Sequence, residues 1–275
     1  MSEEKPIVSV QWLSKELNNP DVVVVDCRFS LAEPEWLRQQ YVEGHIPSAY
    51  YLDLNLDLSA KVEKHGGRHP LPDPETLAAK IAAMGVNFGK TLVVAYDDSR
   101  FAFASRLWWL LRYLGHDKVA LLDGGGRGWQ AGGYPIDISI PKAKSGQFAP
   151  QTRGDWIVDR EVLNRKKDLA NVVVVDSRDS DRYLGEREPI DPIAGSIPNA
   201  VNSPWKKVSN ADGYLEPISS QKKLWSDWEQ AEEIIIYCGS GVTACVNLFS
   251  LELVGLKQGK LYPGGWSDWC SYLVN

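Results

Sequence analysis

Among the residues of this 275-residue chain, Cys238 has the surroundings best suited to chemistry. It closes the run Ile234-Ile235-Ile236-Tyr237 and opens the run Gly239-Ser240-Gly241-Val242-Thr243-Ala244. The apolar, β-branched run reads as a strand buried on both faces, and Thr243–Val254 reads as a helix. A strand, a tight glycine loop and a helix together point backbone N–H groups inward and make a nest for an anion. The helix N-terminus adds positive potential there. Both effects favour a thiolate over a thiol and predict a lowered Cys238 pKa. The same nest would hold a persulfide anion or an attacking oxyanion. A lone cysteine at a buried strand end is more often inert packing. The loop Gly239-Ser240-Gly241 reverses that reading, because open α/β sheets bind ligands at the carboxyl ends of parallel strands.

The other cysteines, Cys27, Cys245 and Cys270, have no comparable context. The four are too scattered for a disulfide framework, and no pair has the C-x-x-C spacing of a metal site. A reducing, cytoplasmic compartment fits them best, and no metal is expected. With 30 basic against 36 acidic side chains the chain is acidic, which disfavours nucleic acid as a partner. No apolar run approaches the roughly 20 residues of a membrane span, so no membrane association is expected. The polar start Met1-Ser2-Glu3-Glu4-Lys5-Pro6 does not read as a signal peptide. The 11 tryptophans therefore read as core and inter-domain contacts rather than a stacking platform for bases.

The elements that must position Cys238 occur twice. Val22–Val25 with Asp26-Cys27-Arg28 is echoed by Val172–Val175 with Asp176-Ser177-Arg178. Gly44-His45-Ile46-Pro47-Ser48-Ala49 is echoed by Gly195-Ser196-Ile197-Pro198-Asn199-Ala200. Leu121, Gly124-Gly125 and Trp129 are echoed by Leu261, Gly264-Gly265 and Trp269. Landmarks matched in the same order indicate a duplicated domain, with a period far too long for a solenoid. Short apolar runs at Val22–Val25, Leu92–Tyr96, Val119–Leu122, Val172–Val175 and Ile234–Tyr237 alternate with helical stretches at Pro74–Met84, Ala102–Leu114 and Thr243–Val254. Gly115 and Gly255 end the last two helices in the C′ position. The expected fold is α/β: two tandem domains, each a mainly parallel sheet flanked by helices. The expected boundaries are a first domain over 1–140, a linker over 141–153 and a second domain over 154–275. Rough equality of the halves suggests an intramolecular pseudo-dimer, so a monomer is expected.

In the order of these motifs the whole chain resembles the two-domain rhodanese-type sulfurtransferases. The likeness rests on Asp26-Cys27-Arg28, Gly44-His45-Ile46-Pro47, the Cys238–Thr243 loop and Gly264-Gly265-Trp266. It implies a catalytic second domain in which Cys238 carries sulfur as a persulfide, with no further cofactor. It implies a small sulfur donor, 3-mercaptopyruvate or thiosulfate, and a thiophilic acceptor such as cyanide or a thiol. Ser240 joins Cys238 as a catalytic residue, and Gly239, Gly241, Val242 and Thr243 form the binding loop. Arg182 resembles the arginine that binds the anionic donor, and its counterpart in the first half is Ala32. Arg187 is a neighbouring candidate. His69, in Arg68-His69-Pro70-Leu71-Pro72, resembles the histidine that mercaptopyruvate enzymes bring to the loop serine. A loop histidine that only orders the domain interface is the alternative. The acidic partner of such a relay falls on Asn55 or Asp57.

The duplication supplies an internal control. Asp97 follows Tyr96 where Cys238 follows Tyr237, and a carboxylate cannot accept a sulfane sulfur. The first half is therefore expected to be catalytically silent, and features common to both halves are expected to be structural. The pairs Asp26/Arg28 and Asp176/Arg178 read as internal ion pairs, and His45, replaced by Ser196, reads as a turn residue. The uncharged loop resembles that of mercaptopyruvate enzymes, whereas Ile190 stands where those enzymes usually carry a second arginine. Donor choice stays open between the two. A cysteine phosphatase would need an arginine six positions after the cysteine, where Ala244 stands. A non-enzymatic sulfur carrier or scaffold is disfavoured by the retention of Cys238, the loop and Arg182 in one half only.

Overall fold

The computed structural model describes residues 6–274. They form two compact units. The first comprises the chain as far as Leu58, Pro72–Arg153 and Ala211–Leu215. Its strands β1 (Ile7–Val8), β2 (Val22–Asp26), β3 (Tyr50–Tyr51), β4 (Leu92–Tyr96) and β5 (Val119–Leu122) make one parallel sheet in the order β1-β5-β4-β2-β3. Its helices are α1 (Val10–Glu16), α2 (Pro34–Glu43), α3 (Pro74–Ala82), α4 (Ala104–Tyr113) and α5 (Gly125–Ala131).

The second unit comprises Ser59–Leu71, Gly154–Asn210 and the chain from Glu216 onward. Strands β6 (Val172–Asp176), β7 (Val201–Asn202), β8 (Glu233–Tyr237) and β9 (Gly259–Leu261) pair in parallel in the order β7-β6-β8-β9. Its helices are α6 (Arg160–Lys166), α7 (Ser180–Tyr183), α8 (Ile218–Trp225), α9 (Ala244–Leu253) and α10 (Gly265–Ser271). The chain leaves β6 toward β7 on one side, and β8 lies on the other. The strand order therefore reverses between β6 and β8, which opens a crevice outside their carboxyl ends. Asp176 and Tyr237 are paired at that edge, one residue short of Cys238.

The α/β class and the duplicated sheet are as the alternating pattern predicts. β8 is apolar because Ile234, Ile235 and Ile236 are wholly buried. α9 is apolar around its circumference because Ala244–Leu251 are all buried, so no amphipathic stripe marks it. Its polar residues are pinned inside: Asn247 donates to Ser177 Oγ (2.9 Å) and to the Ser203 carbonyl (2.8 Å), and Ser250 donates to Gln221 (2.6 Å). Gly115 and Gly255 do end α4 and α9 in the left-handed region, at φ +88° and +81°. No helix among the described residues is long and apolar enough to cross a membrane.

The domain boundaries differ from a simple cut at 140 and 154. Residues 141–153 pack on the first unit and are no free linker: the Phe88 amide donates to the Gln147 carbonyl, and Gln151 and Arg153 amides donate to Leu114 and Tyr113 carbonyls. Arg153 also makes a forked pair with Asp117, at 2.7 Å through each nitrogen. Ala211–Leu215 belongs to the first unit because the Leu215 amide donates to Asp123 (2.8 Å) and Tyr214 lies against Gly124. Ser59–Leu71 belongs to the second unit, where it carries His69.

Candidate active site in the second unit

Cys238 sits where β8 gives way to the loop, and it is 2% exposed. Five carbonyls of the loop, those of Cys238, Gly239, Gly241, Val242 and Thr243, are anchored by hydrogen bonds. The amide of Trp266 donates to the Cys238 carbonyl (2.8 Å), and that of Ser267 to the Gly239 carbonyl (2.9 Å). Cys245 binds the Gly241 carbonyl through Sγ (3.4 Å) and the Val242 carbonyl through its amide (3.0 Å). Val246 takes the Thr243 carbonyl (3.1 Å). In a trans peptide the next N–H points opposite to its carbonyl, and no described peptide is cis. The N–H groups of Gly239, Ser240, Val242, Thr243 and Ala244 are thereby turned away from the body, an arrangement able to form a nest for an anion. The turn needs two glycines. Gly241 lies at φ +71°, and a methyl there would meet the Pro263 carbonyl oxygen at 2.3 Å. Gly265 lies at φ +61°, and a methyl there would meet the Cys238 carbonyl oxygen at 2.6 Å.

The first unit shows what such a loop holds. Asp97 follows β4 as Cys238 follows β8, and its carboxylate accepts four loop amides: Ser99 (2.7 Å), Phe101 (3.1 Å), Phe103 (2.8 Å) and Ala104 (2.8 Å). Burial pushes its carboxyl up to about 6 in spite of those donors.

A second layer is ionic. Arg178 pairs with Asp176 at 2.6 Å and reaches the Gly195 carbonyl (2.6 Å), and Arg28 pairs with Asp26 at 2.7 Å and reaches the Gly44 carbonyl (2.7 Å). These are internal ion pairs holding the strand ends in both halves. In the second unit the network extends: Glu188 bridges Arg178 (3.1 Å) and Arg182 (2.6 Å). Burial raises the Glu188 pKa, but the Arg182 hydrogen bonds and charge outweigh it and leave the carboxyl below its usual range. Asp191 pairs with Arg68 and lies 3.5 Å from Arg182. A methyl on Gly239 would lie 2.9 Å from Arg68 Nη2 and 3.7 and 3.8 Å from the two terminal nitrogens of Arg182. Two guanidinium groups thus converge over the residue that follows Cys238.

Ser240 and His69 are both buried, with 2.7 Å between Ser240 Oγ and His69 Nδ1. The structure thus brings together Cys238, Ser240, His69, Arg182 and the loop residues Gly239, Gly241, Val242 and Thr243. Arg187 is half-exposed and is engaged elsewhere, with Asp181 at 2.5 Å. Asp57 is engaged by Lys80 and by the Asp53 amide (2.8 Å), within the first unit. His45 hydrogen-bonds the Tyr41 carbonyl (2.7 Å) and stacks on the Tyr41 ring, as a turn residue does. Cys27 is raised well above its ordinary pKa, by burial first, and Cys270 is pushed up to about 11 by burial. Sequence reasoning missed Arg68, Glu188 and Asp191. Arg68 was adjacent to His69 in the same motif and Glu188 stood two residues before Ile190 in the Glu-Pro context of the missing arginine, whereas nothing in the sequence marked Asp191.

The rhodanese-like domain family model matches residues 9–132 and 159–272. The chain is 41% identical to the "Probable 3-mercaptopyruvate sulfurtransferase" of Pseudomonas aeruginosa, over 96% of this chain and 94% of that protein. It is 30% identical to the 3-mercaptopyruvate sulfurtransferase of Escherichia coli, over 95% of this chain and 94% of that protein. The crystal structure of SseA from Escherichia coli, a 3-mercaptopyruvate sulfotransferase, superposes with a TM-score of 0.84 at 29% identity, covering 96% of this chain and 100% of that one.

Proposed function

This chain belongs to the rhodanese-like domain family and is a sulfurtransferase; we propose that it moves sulfur from 3-mercaptopyruvate or thiosulfate through a persulfide on Cys238. The observation that carries this reading is the loop, whose amides face away from its anchored carbonyls and whose Gly239 lies under two guanidinium groups.

In the first step the Cys238 thiolate attacks the donor's outer sulfur. A sulfur–sulfur bond forms. With thiosulfate the old sulfur–sulfur bond breaks and its electron pair leaves with sulfite. With 3-mercaptopyruvate the carbon–sulfur bond breaks, and its electron pair leaves as the enolate of pyruvate, which then takes a proton. Ser240, backed by His69 at 2.7 Å, is placed to hydrogen-bond the keto oxygen as charge grows there. The outward-facing amides hold the persulfide anion as the Asp97 carboxylate is held in the first unit. In the second step a thiol or cyanide attacks the outer sulfur, and the electron pair of the sulfur–sulfur bond returns to Cys238 as thiolate. The cysteine itself carries the group, so the scheme calls on no metal or organic cofactor. The first unit, with Asp97 in place of the nucleophile, is silent in this scheme. Ping-pong kinetics follow from the covalent intermediate.

The test is the initial rate of thiocyanate formation from cyanide with each donor in parallel, for wild type and Cys238→Ser. The expected result is parallel double-reciprocal lines for wild type and no turnover by the serine variant. Turnover by Cys238→Ser, or intersecting lines, overturns the persulfide scheme.

A further inference from the structure

We propose that Arg68 is a donor-binding residue, forming with Arg182 a two-guanidinium clamp over Gly239 for the anionic end of the donor, with Asp191 as the residue that pairs them. The inference rests on the reading above, that Cys238 attacks a small anionic donor.

The backbone of Arg68 is fixed to the same turn that fixes the loop. Gly66 donates to Asp268 (2.7 Å), and Arg68 donates to Ser267 Oγ (3.1 Å). The Ser267 amide in turn holds the Gly239 carbonyl at 2.9 Å. Gly67, at φ +84°, comes so close to this turn that a methyl would meet the Gly264 carbonyl oxygen at 2.3 Å. The clamp and the loop therefore share one support, the first turn of α10.

The side chain is aimed by Asp191. One Asp191 oxygen takes Arg68 Nη1, and the other lies 3.5 Å from Arg182 Nη2 with no hydrogen bond of its own among the described residues. The Asp191 side chain is 3% exposed, and a carboxylate so buried needs cations beside it. Asp191 is held in turn through its amide, which donates to Glu188 Oε1 at 3.1 Å. Glu188 is the carboxylate that grips Arg182 through Nε (3.2 Å) and Nη2 (2.6 Å). These contacts consume Nη1 of Arg68 and the Nε and Nη2 edge of Arg182. Nη2 of Arg68 and Nη1 of Arg182 make no hydrogen bond among the described residues, and both face Gly239. Two unspent, charged donors beside the nucleophile's neighbour suit a planar carboxylate or the oxygens of a thiosulfonate. The adjacent alternatives carry no such donor: Ile190 is apolar, and Arg187 is engaged with Asp181. Within the second unit, Arg68 therefore supplies the second cation.

The test compares 3-mercaptopyruvate with its uncharged carboxamide as donors to cyanide, in wild type, Arg68→Ala, Arg68→Lys and the exposed control Arg165→Ala. Losing one charge-assisted contact should lower kcat/KM for the carboxylate by about tenfold to a hundredfold, through KM. The carboxamide should be unaffected, so the preference for the charged donor collapses. A residue that only held the fold would lower both donors together. Arg68→Lys keeps the charge and loses the fork, so an intermediate preference is expected there, and the test stands even if the alanine variant does not fold. Equal losses with both donors, or no loss in either Arg68 variant, overturn the clamp. Cys238→Ser assayed alongside separates this outcome from failure of the persulfide scheme: turnover by that variant rejects the scheme itself, whatever Arg68 does.

Discussion

A methyl group added at Gly241 strikes the anion nest without touching a reacting group. Gly241 lies at φ +71°, which costs an L-residue roughly 1–2 kcal/mol. The new carbon would also lie 2.3 Å from the Pro263 carbonyl oxygen and 2.8 Å from Pro263 Cα. Carbon and oxygen pack no closer than about 3.3 Å, so one side must yield by roughly 1 Å. Both sides are backbone, and both belong to the site. Pro263 precedes the turn whose Trp266 and Ser267 amides anchor the carbonyls of Cys238 and Gly239. A misplacement of about 1 Å at a reacting centre costs on the order of a hundredfold in rate. Gly241→Ala is therefore expected to lower kcat by about a hundredfold. A loss of about 2–3 kcal/mol of stability, at about 2–4 °C per kcal/mol for a chain of this size, lowers Tm by about 4–12 °C. Gly239→Ala is the matched contrast. Its backbone lies outside the left-handed region, and the atoms nearest the methyl would be the terminal nitrogens of Arg68 and Arg182. Those tips can swing aside, so Tm should stay near wild type while the donor KM rises. The assay is thiocyanate formation from 3-mercaptopyruvate and cyanide, with thermal unfolding followed in parallel. Wild-type kcat in Gly241→Ala would refute the argument that this turn builds the nest.

Two further perturbations test the supports. Burial raises the folded pKa of Asp97 to about 6 against an ordinary 3.8, so folding favours its protonated form relative to the unfolded chain, while the group is ionised at neutral pH. Its contribution to stability is present below about pH 4 and is lost as pH rises through 6, by roughly 3 kcal/mol in all. The stability of wild type relative to Asp97→Asn, measured by denaturant unfolding, should therefore fall between pH 4 and pH 7; a flat or rising difference contradicts this. Arg178→Ala leaves the wholly buried Asp176 carboxylate without its 2.6 Å partner. The expected loss is about 3–5 kcal/mol of unfolding free energy, and a loss under about 1 kcal/mol would place this pair with ordinary surface ion pairs.

Strands β2, β4, β5, β6 and β8 were legible because each carries an unbroken apolar run, closed by Asp26 in β2 and Asp176 in β6 and opened by Glu233 in β8, as a parallel sheet covered on both faces requires. The two-residue strands β1, β3 and β7 carry too little pattern to be read, since only their register with a longer neighbour defines them. The Cys238 loop was legible because its turn needs glycine at a fixed place, and a glycine in such a place survives as a sequence signal. The ionic layer was not. Arg178, Arg182 and Arg68 are drawn together by Glu188 and Asp191, and charged residues in a loop look alike in sequence whether they are solvated or buried. How irregular segments divide between the units was not legible for a related reason. Composition marks where a chain lacks regular structure, and it is silent about which unit an irregular segment packs on, as residues 141–153 and Ser59–Leu71 demonstrate.

The two halves share their scaffold and differ in what the strand-end loop presents. In each, an aspartate at the strand end grips an arginine that reaches a glycine carbonyl in the following turn, and a tyrosine at the end of the next strand stands against that aspartate. This lattice sets the strand end from which the loop springs, and it is indifferent to what the loop holds. In the first unit the anion is built into the chain: the Asp97 carboxylate takes four amides, so the nest is filled by the protein itself. In the second unit Cys238 takes the same place, and its side chain supplies a single sulfur with no oxygens to reach those amides. On our reading the nest there is completed only when a second sulfur is added, so a strand-end loop that is structural in one half, where it is one residue longer, becomes catalytic in the other. The change from carboxylate to thiol leaves the fold intact. On the proposed scheme it replaces a fixed internal anion by a persulfide that forms with a donor and is discharged to an acceptor.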